Sequence, residues 1–361
     1  MELADESFNL SAVFLFYIAE KRKMIIDFRS DTVTKPGSEM LKAMMNASIG
    51  DDVFGEDPSI NELERMSADM FGMEAGLFCP SGTMTNQIAI KCHTQPGDEV
   101  ICDENSHIYQ YEGGGIAFNS SASVKLLYGD RGRINADQVK AAINPSDDNH
   151  KANTSLVCLE NTSNRGGGSC YELEEIKKIK QVCVENDLAL HLDGARLWNA
   201  MVAKNETPKQ YGGIFSSISI CLSKGLGCPV GSVLVGKKDL IKKARRVRKV
   251  FGGGMRQAGF MAAAGIYALQ NNIERLKHDH AHAKQIGDAI AKSSVAKTVL
   301  PIETNIIIFE TIGATAQALV DKLKNTQILC YATAPDRIRF VVHLDITPEM
   351  VNKTIEIIKT F

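Results

Sequence analysis

The sequence predicts an α/β chain: a mostly parallel central sheet flanked by helices, then a smaller C-terminal α+β domain. Three observations carry this. Short apolar, β-branched runs alternate with helical stretches from Ala75 to Val235, the pattern of a sheet covered on both faces. Two of those runs, Leu188–Asp193 and Ile218–Leu222, stop abruptly in polar residues, as buried parallel strands do where ligands of such folds bind. After about Leu276 the texture changes to a long polar helix followed by two more strands. A chain of 361 residues, 44% hydrophobic and 23% charged, can bury a large core and form about two domains. The expected divisions are an extension over 1–23, a large domain with its N-terminal segment over 24–275, and a small domain over 276–361.

The first 23 residues run from an acidic start (Glu2, Asp5, Glu6) through an apolar patch, Ser11–Ala19, into Glu20-Lys21-Arg22-Lys23. A secretory signal has the reverse order of charge, and the patch is too short to span a bilayer. A short helix or an extension is expected there, with the body starting near Met24 and no membrane partner. The net charge of −2 provides no field for nucleic acid. Nine cysteines form an odd set without a C-x-x-C pair, and Cys92, Cys102, Cys158 and Cys221 sit inside apolar runs. They read as small buried hydrophobes in a reducing, cytoplasmic setting.

In Ile25–Pro36 polar residues dominate after Phe28, and Pro36 stops any regular element. It reads as an entry loop, or as a segment that brings Ser30 and Asp31 into a site. Glu39–Ala47 follows as a helix, then the acidic turn-rich loop Gly50–Pro58 and a helix over Ile60–Phe71. In Pro80-Ser81-Gly82-Thr83 small and hydroxyl residues open a helix that continues through Gln87–Cys92. Free N–H groups at that start, with Gly82 allowing close approach and Thr83 adding a hydroxyl, suit a phosphate. Plain capping by Ser81 or Thr83 is the competing reading.

Val100–Cys102 is a strand, and His107 lies just past it. Gly113-Gly114-Gly115 lacks the spacing of a dinucleotide fingerprint. A helix over Asp137–Ile143 leads through the polar loop Pro145–His150 to the strand Ser155–Leu159. That strand ends in Glu160-Asn161-Thr162, and a glycine-rich loop, Arg165–Gly168, precedes a helix over Leu173–Asn186.

The strand Leu188–Asp193 ends in Asp193-Gly194-Ala195-Arg196, and one crossover later Ile218–Leu222 ends in Ser223-Lys224-Gly225. A lysine at the mouth of a buried strand is costly as a free ammonium. A desolvated lysine of lowered pKa is the nucleophile that forms imines with carbonyl cofactors such as pyridoxal phosphate (PLP). A strand-end carboxylate is what that cofactor needs against its pyridine nitrogen. Both residues open at the carboxyl edge of a parallel sheet, and His107 follows its strand in the same way.

Leu240–Val250 is a basic helix, read as a solvated face, and it feeds the anion-suited loop Gly252–Gln257 with Arg256. Of His278, His280 and His282 only the first and last share a helical face, and no carboxylate completes a ligand set, so no metal is expected. The last part carries a strand over Asn305–Glu310, a helix over Ala314–Lys324, a strand over Ile338–Leu344 and a closing helix. Arg339 alternates with apolar neighbours and points inward, toward a substrate carboxylate or an edge-strand ion pair.

Taken together, these stretches resemble threonine aldolase. The matching residues are Phe28–Thr34, Gly50–Gly55, Pro80–Thr83, His191–Arg196, Cys221–Gly227 and Gly252–Gln257, in family order from about Met24 to the C-terminus. The resemblance implies the aspartate-aminotransferase-like fold of PLP enzymes (fold type I). It implies retro-aldol cleavage of L-threonine or L-allo-threonine to glycine and acetaldehyde, and a homotetramer with sites shared between subunits. It assigns Lys224 to the imine, Asp193 to the pyridine nitrogen, and Gly82, Thr83 and Ser223 to the phosphate with Arg256 of a neighbouring subunit. His107 would stack on the ring. Ser30, Arg196 and Arg339 would grip the substrate carboxylate, and His107 and His150 are the candidate bases. One stretch departs from the family pattern: Ser163 stands where histidine is usual, and Arg165–Gly168 reads as a local insertion. The alternatives are a PLP-dependent β-eliminating lyase or aminotransferase on the same fold, and a non-catalytic cofactor-binding regulator, against which Lys224 and Asp193 stand together.

Overall fold

The structure, a computed structural model, describes residues 24–361. The expectation placed on 1–23, including the apolar patch, lies outside the described residues. Thirteen strands are described. Seven of them, β2 (Ala75–Cys79), β3 (Glu99–Asp103), β4 (Ser123–Leu127), β5 (Thr154–Glu160), β6 (Ala189–Gly194), β7 (Ser217–Cys221) and β8 (Ser232–Gly236), make the central sheet in the order β2-β8-β7-β6-β5-β3-β4. The five from β7 to β4 are mutually parallel, and β8 runs antiparallel to both of its neighbours. β6, β7 and β8 are almost wholly buried, and the polar side chains set among their apolar ones are satisfied inside: Ser217 by His191 and Ser219 by Thr85.

The flanking helices are set by local signals. Asp57 caps the helix Pro58–Phe71, accepting from Ile60 N at 3.0 Å, with proline at its first position and Gly72 closing it at φ 63°. Ser81 caps Gly82–His93, accepting from Met84 N at 3.2 Å. Leu63, Phe71, Leu192, Leu197, Trp198, Ile218 and Ile220 lie in the main core on one face of the sheet, and the edge ring of Phe71 meets Trp198 at 5.7 Å.

A second sheet has the order β12-β13-β10-β9, antiparallel throughout: β9 (Ala296–Val299), β10 (Ile306–Thr311), β12 (Tyr331–Ala334) and β13 (Arg337–Val341). The segment that starts the described chain joins this part. β1 (Ile26–Asp27) pairs in parallel with β11 (Ile328–Leu329), and Ile26 and Phe28 are fully buried in the second core. Phe28 stacks on Phe340 at 4.9 Å. Residues of 24–34 and of 276–361 thus share one core. The helix Leu276–Ala291 carries the three histidines, of which His280 contacts Asn199 Nδ2 through Nε2 at 3.2 Å. No described helix is long and apolar enough to cross a membrane.

Candidate active site

The carboxyl ends of β3, β5, β6 and β7 open into one cavity of about 520 Å³. His107 follows β3, Glu160 ends β5, Asp193 ends β6, and Lys224 lies just past β7. Ser30 comes from the N-terminal segment, Gly82 and Thr83 from the start of the helix Gly82–His93, and Arg339 from β13. Ser30, Gly82, Thr83, His107, Asp193, Arg196, Ser223, Lys224 and Arg339, all singled out from sequence, line this cavity. At the helix start the capping reading holds at Ser81, and the two residues read for phosphate, Gly82 and Thr83, stand at the opening.

Lys224 Nζ lies 3.2 Å from Cys221 Sγ. Burial pulls the lysine down, but the neighbouring Cys221, Asp31 and Asp193 outweigh it and raise it. Burial would push the Cys221 thiol up, and the Lys224 charge beside it brings it down instead. The expectation of a lowered lysine pKa is therefore corrected: Cys221 and the carboxylates of Asp31 and Asp193 favour the charged amine more than burial and Arg196 disfavour it.

Asp193 is buried, and both oxygens are engaged: Oδ1 accepts from Ala195 N and Oδ2 from Asn86 Nδ2, each at 3.0 Å. Asn86 Nδ2 also donates to Glu112 Oε1 at 2.9 Å. Carboxylates only accept, so the Asn86 amide orientation is fixed, and its Oδ1 faces His191 Nε2 at 3.2 Å. His191 must then carry its proton on Nε2 and accept at Nδ1 from Ser217 Oγ, 2.8 Å away. Ser217 in turn accepts from His93 Nε2 at 2.9 Å. Burial pushes His191 down to about 3 and His93 to about 4, so both rings are neutral. A one-way chain of neutral donors therefore ends on Asp193 and leaves its charge uncancelled.

His107 Nδ1 lies 3.0 Å from Glu112 Oε1. The buried Glu112 carboxylate can only accept here, which places the ring proton on Nδ1 and leaves Nε2 free. Burial would lower His107, but the Glu112 bond and the charges of Asp193 and Glu160 outweigh it and raise its pKa. Glu160 faces Asp193 across the β5–β6 register. Burial, with the Asp193 charge beside it, pushes the Glu160 carboxyl up to about 7. Its oxygens accept from His107 N at 2.7 Å and Asn164 N at 2.8 Å, so it fastens the histidine to the loop after β5. His107, Glu112 and Asp193 bring ligand atoms within 4.8 Å of one another, and the hydrogen bonds just described account for that closeness.

The two arginines of the carboxylate-gripping set are held differently. Arg196 lines the cavity, but its Nε and Nη2 each donate to Asp31 at 2.7 Å. Arg339 is freer. Nη1 donates to Asn164 Oδ1 at 2.8 Å and Nη2 to the Arg29 carbonyl at 3.0 Å, while its buried Nε has no partner. Burial and the nearby Arg196 charge lower it to about 10. Ser30 Oγ accepts from Thr32 N at 3.2 Å while lining the cavity.

Two of the named residues lie away from the cavity of their own chain, Arg256 being the one expected from a neighbouring subunit. His150 precedes β5 and so sits at the opposite, amino edge of the sheet, its side chain 96% exposed and bonded to Asp148 at 3.1 Å. Arg256 pairs with Asp51 at 3.0 Å on the surface. Sequence reasoning missed Asn86, Glu112, Glu160 and Asn164 as members of the site. Polar side chains inside helical or strand patterns, next to the expected phosphate helix and strand ends, were the available signal.

The beta-eliminating lyase family profile matches residues 27–312. The chain is 42% identical over 328 residues to the low specificity L-threonine aldolase of Escherichia coli (strain K12), covering 91% of this chain and 96% of that one. It is 40% identical over 337 residues to low-specificity L-threonine aldolase 1 of Arabidopsis thaliana, covering 91% and 94%. Among solved structures, Leishmania major threonine aldolase superposes with a TM-score of 0.82 at 21% identity, covering 93% of this chain and 99% of that one. Sphingomonas wittichii serine palmitoyltransferase does so with 0.72 at 15% identity, covering 93% and 86%. These last two likenesses show the shared fold, the α/β architecture expected from sequence. The chain belongs to the beta-eliminating lyase family, among the relatives of the low-specificity L-threonine aldolases.

Proposed function

We propose that this chain cleaves L-threonine and L-allo-threonine to glycine and acetaldehyde with pyridoxal phosphate bound. The observation that carries this is the pairing of Lys224 and Asp193 at the ends of adjacent strands, facing the under-partnered Arg339 across one cavity. The residues present fit the cofactor. An amine stands beside a buried, uncancelled carboxylate. A helix start without a Cβ at Gly82 lies at the same opening, with Thr83 and Ser223 as hydroxyl donors.

When bound, PLP withdraws electrons from the amino acid Cα. Lys224 would hold it covalently, and Asp193 would keep its ring nitrogen protonated. Gly82, Thr83 and Ser223 would hold its phosphate, with Arg256 of another copy reaching in if the chain assembles as the homotetramer proposed for it. Arg339 and Ser30 bind the substrate carboxylate and so orient the Cα–Cβ bond; a guanidinium fixes angle as well as position. Arg196, fixed by Asp31 through Nε and Nη2, keeps Nη1 for the same carboxylate. His107 Nε2 takes the β-hydroxyl proton as the Cα–Cβ bond breaks and the aldehyde leaves. A proton added at Cα completes glycine. A cytoplasmic location is part of this proposal.

The test is product analysis. Purified protein supplied with PLP and either substrate should release acetaldehyde and glycine in equal amounts. Ammonia and a 2-keto acid in their place would mean elimination and would overturn the proposal.

A further inference from the structure

Three arginines line the cavity: Arg165, Arg196 and Arg339. Arg196 is neutralised by Asp31. Arg339 is assigned to the α-carboxylate. Arg165 has no such account. Its side chain makes one long bond, Nη2 to the Thr333 carbonyl at 3.5 Å, and among the described residues it forms no ion pair.

Arg165 is held in place rather than loose. Its loop closes on itself through the bridge between Ser163 and Ser169, with Ser163 N donating to the Ser169 carbonyl at 3.0 Å. Arg131 Nε grips the next residue's carbonyl, that of Gly166, at 2.9 Å. Ser169 Oγ donates back to the Arg131 carbonyl at 2.8 Å. Asn164, one residue before, holds Arg339. The loop therefore fixes Arg165 next to the substrate-carboxylate arginine, and the Arg165 charge bears on Arg339.

Position separates Arg165 from the phosphate end. The loop follows β5, whereas Ser223 follows β7, and Thr85 of the Gly82–His93 helix touches Ser219 of β7 at 2.7 Å. Two strand spacings, roughly 10 Å, lie between those strands. Two neighbouring guanidiniums repel each other, and the single charge of an α-carboxylate balances only one of them. The cavity therefore carries charge for a second anion on the substrate side.

We propose that Arg165 is a subsite for a second carboxylate, so that this chain also cleaves β-hydroxy-α-amino acids bearing a carboxylate on Cβ. The simplest is L-3-hydroxyaspartate. The inference rests on the retro-aldol reading above. The balance is the same as for threonine. The β-hydroxyl loses its proton, its electron pair forms the carbonyl, the Cα–Cβ bond breaks, and a proton is added at Cα. The products are glyoxylate and glycine, and nothing is oxidised or reduced overall.

The experiment compares kcat/KM for L-3-hydroxyaspartate, read as glyoxylate, with that for L-threonine, read as acetaldehyde, on the PLP-loaded protein. In Arg165→Gln the ratio of the two should fall about 10- to 100-fold, the usual range for one charge-assisted hydrogen bond, and Arg165→Lys should restore part of it. Equilibrium binding of L-aspartate should weaken by a similar factor, and added salt should lower the wild-type ratio. A ratio unchanged in Arg165→Gln overturns the proposal. If both substrates fall together, Arg165 serves the α-carboxylate; if neither falls, it serves no substrate. Wild-type protein that cleaves threonine but releases no glyoxylate overturns the proposal and leaves the threonine reading intact. If neither amino acid is cleaved, both fail.

Discussion

Asp31 receives Nε and Nη2 of Arg196 at 2.7 Å each, and both side chains are buried. Burial alone would raise the Asp31 carboxyl; the Arg196 charge and its two bonds reverse this and hold it at about 2. The pair bolts the N-terminal segment, which packs in the second core, to the end of β6 in the main sheet. Removing one partner of a buried pair leaves the other charge stranded, typically at a cost of about 3–5 kcal/mol. Asp31→Asn should show a loss of that order in chemical denaturation at neutral pH. A folded pKa below the usual ~3.9 gives stability that is present above that value and lost as pH falls toward 2. The gap between wild type and Asp31→Asn should be flat above about pH 5 and narrow below it. A gap independent of pH would refute the assignment.

Lys224 should carry the cofactor. PLP-loaded protein should have a visible absorbance band that borohydride removes, leaving the cofactor fixed on the peptide that contains Lys224. Lys224→Ala should lose turnover. Near-normal turnover in that variant would end the assignment.

The Glu112 carboxylate raises His107. If free Nε2 is the base, cleavage should rise with pH through a value above the ordinary ~6.5 of histidine. Glu112→Gln removes the raising charge, so that limb should move to lower pH. His107→Ala should cut the rate at least ~10²-fold, and His150→Ala by less, since His150 stands at the opposite edge of the sheet. A limb that stays put in Glu112→Gln would place the base elsewhere.

The one-way chain through His191 makes Asn86 the last link to two buried carboxylates. Asn86→Leu strips a donor from both, each buried acceptor costing about 1–3 kcal/mol. The expected result is lower thermal stability together with weaker PLP binding, measured by fluorescence titration. Asp193→Ala should instead cost ~10²–10³ in turnover, the scale for one preorganised electrostatic partner. Unchanged PLP affinity in Asn86→Leu would show that the chain does not position Asp193.

The parts of the site readable in the sequence were those where local pattern and chemistry coincide. Asp193 closes one largely apolar strand and Lys224 follows another, so their depth and their edge could both be inferred. His150 was misplaced although the same rule excludes it, because it precedes its strand rather than follows it. Asn86, Glu112 and Glu160 look like ordinary polar residues until folding supplies partners far along the chain; the Asn86–Asp193 bond spans 107 residues. The reversed direction of β8 leaves no periodicity signal, since a fully buried strand reads alike both ways. The pairing of β1 with β11 has none either, being two residues long.

That short pairing also sets the order in which the molecule can be finished. Phe28 N donates to the Leu329 carbonyl at 2.7 Å, and Val341 N donates to the Phe28 carbonyl at 2.9 Å. Residues near the start of the described chain must therefore wait on the ribosome for partners made about 300 residues later. Closing so large a loop is slow, and the waiting apolar segment is exposed to wrong partners meanwhile. Ser30 reaches the cavity, and Asp31 holds the cavity's Arg196, on that same segment. A nascent chain halted before Leu329 would hold Lys224 and Asp193 on a formed sheet, yet lack an anchored carboxylate clamp until synthesis ends.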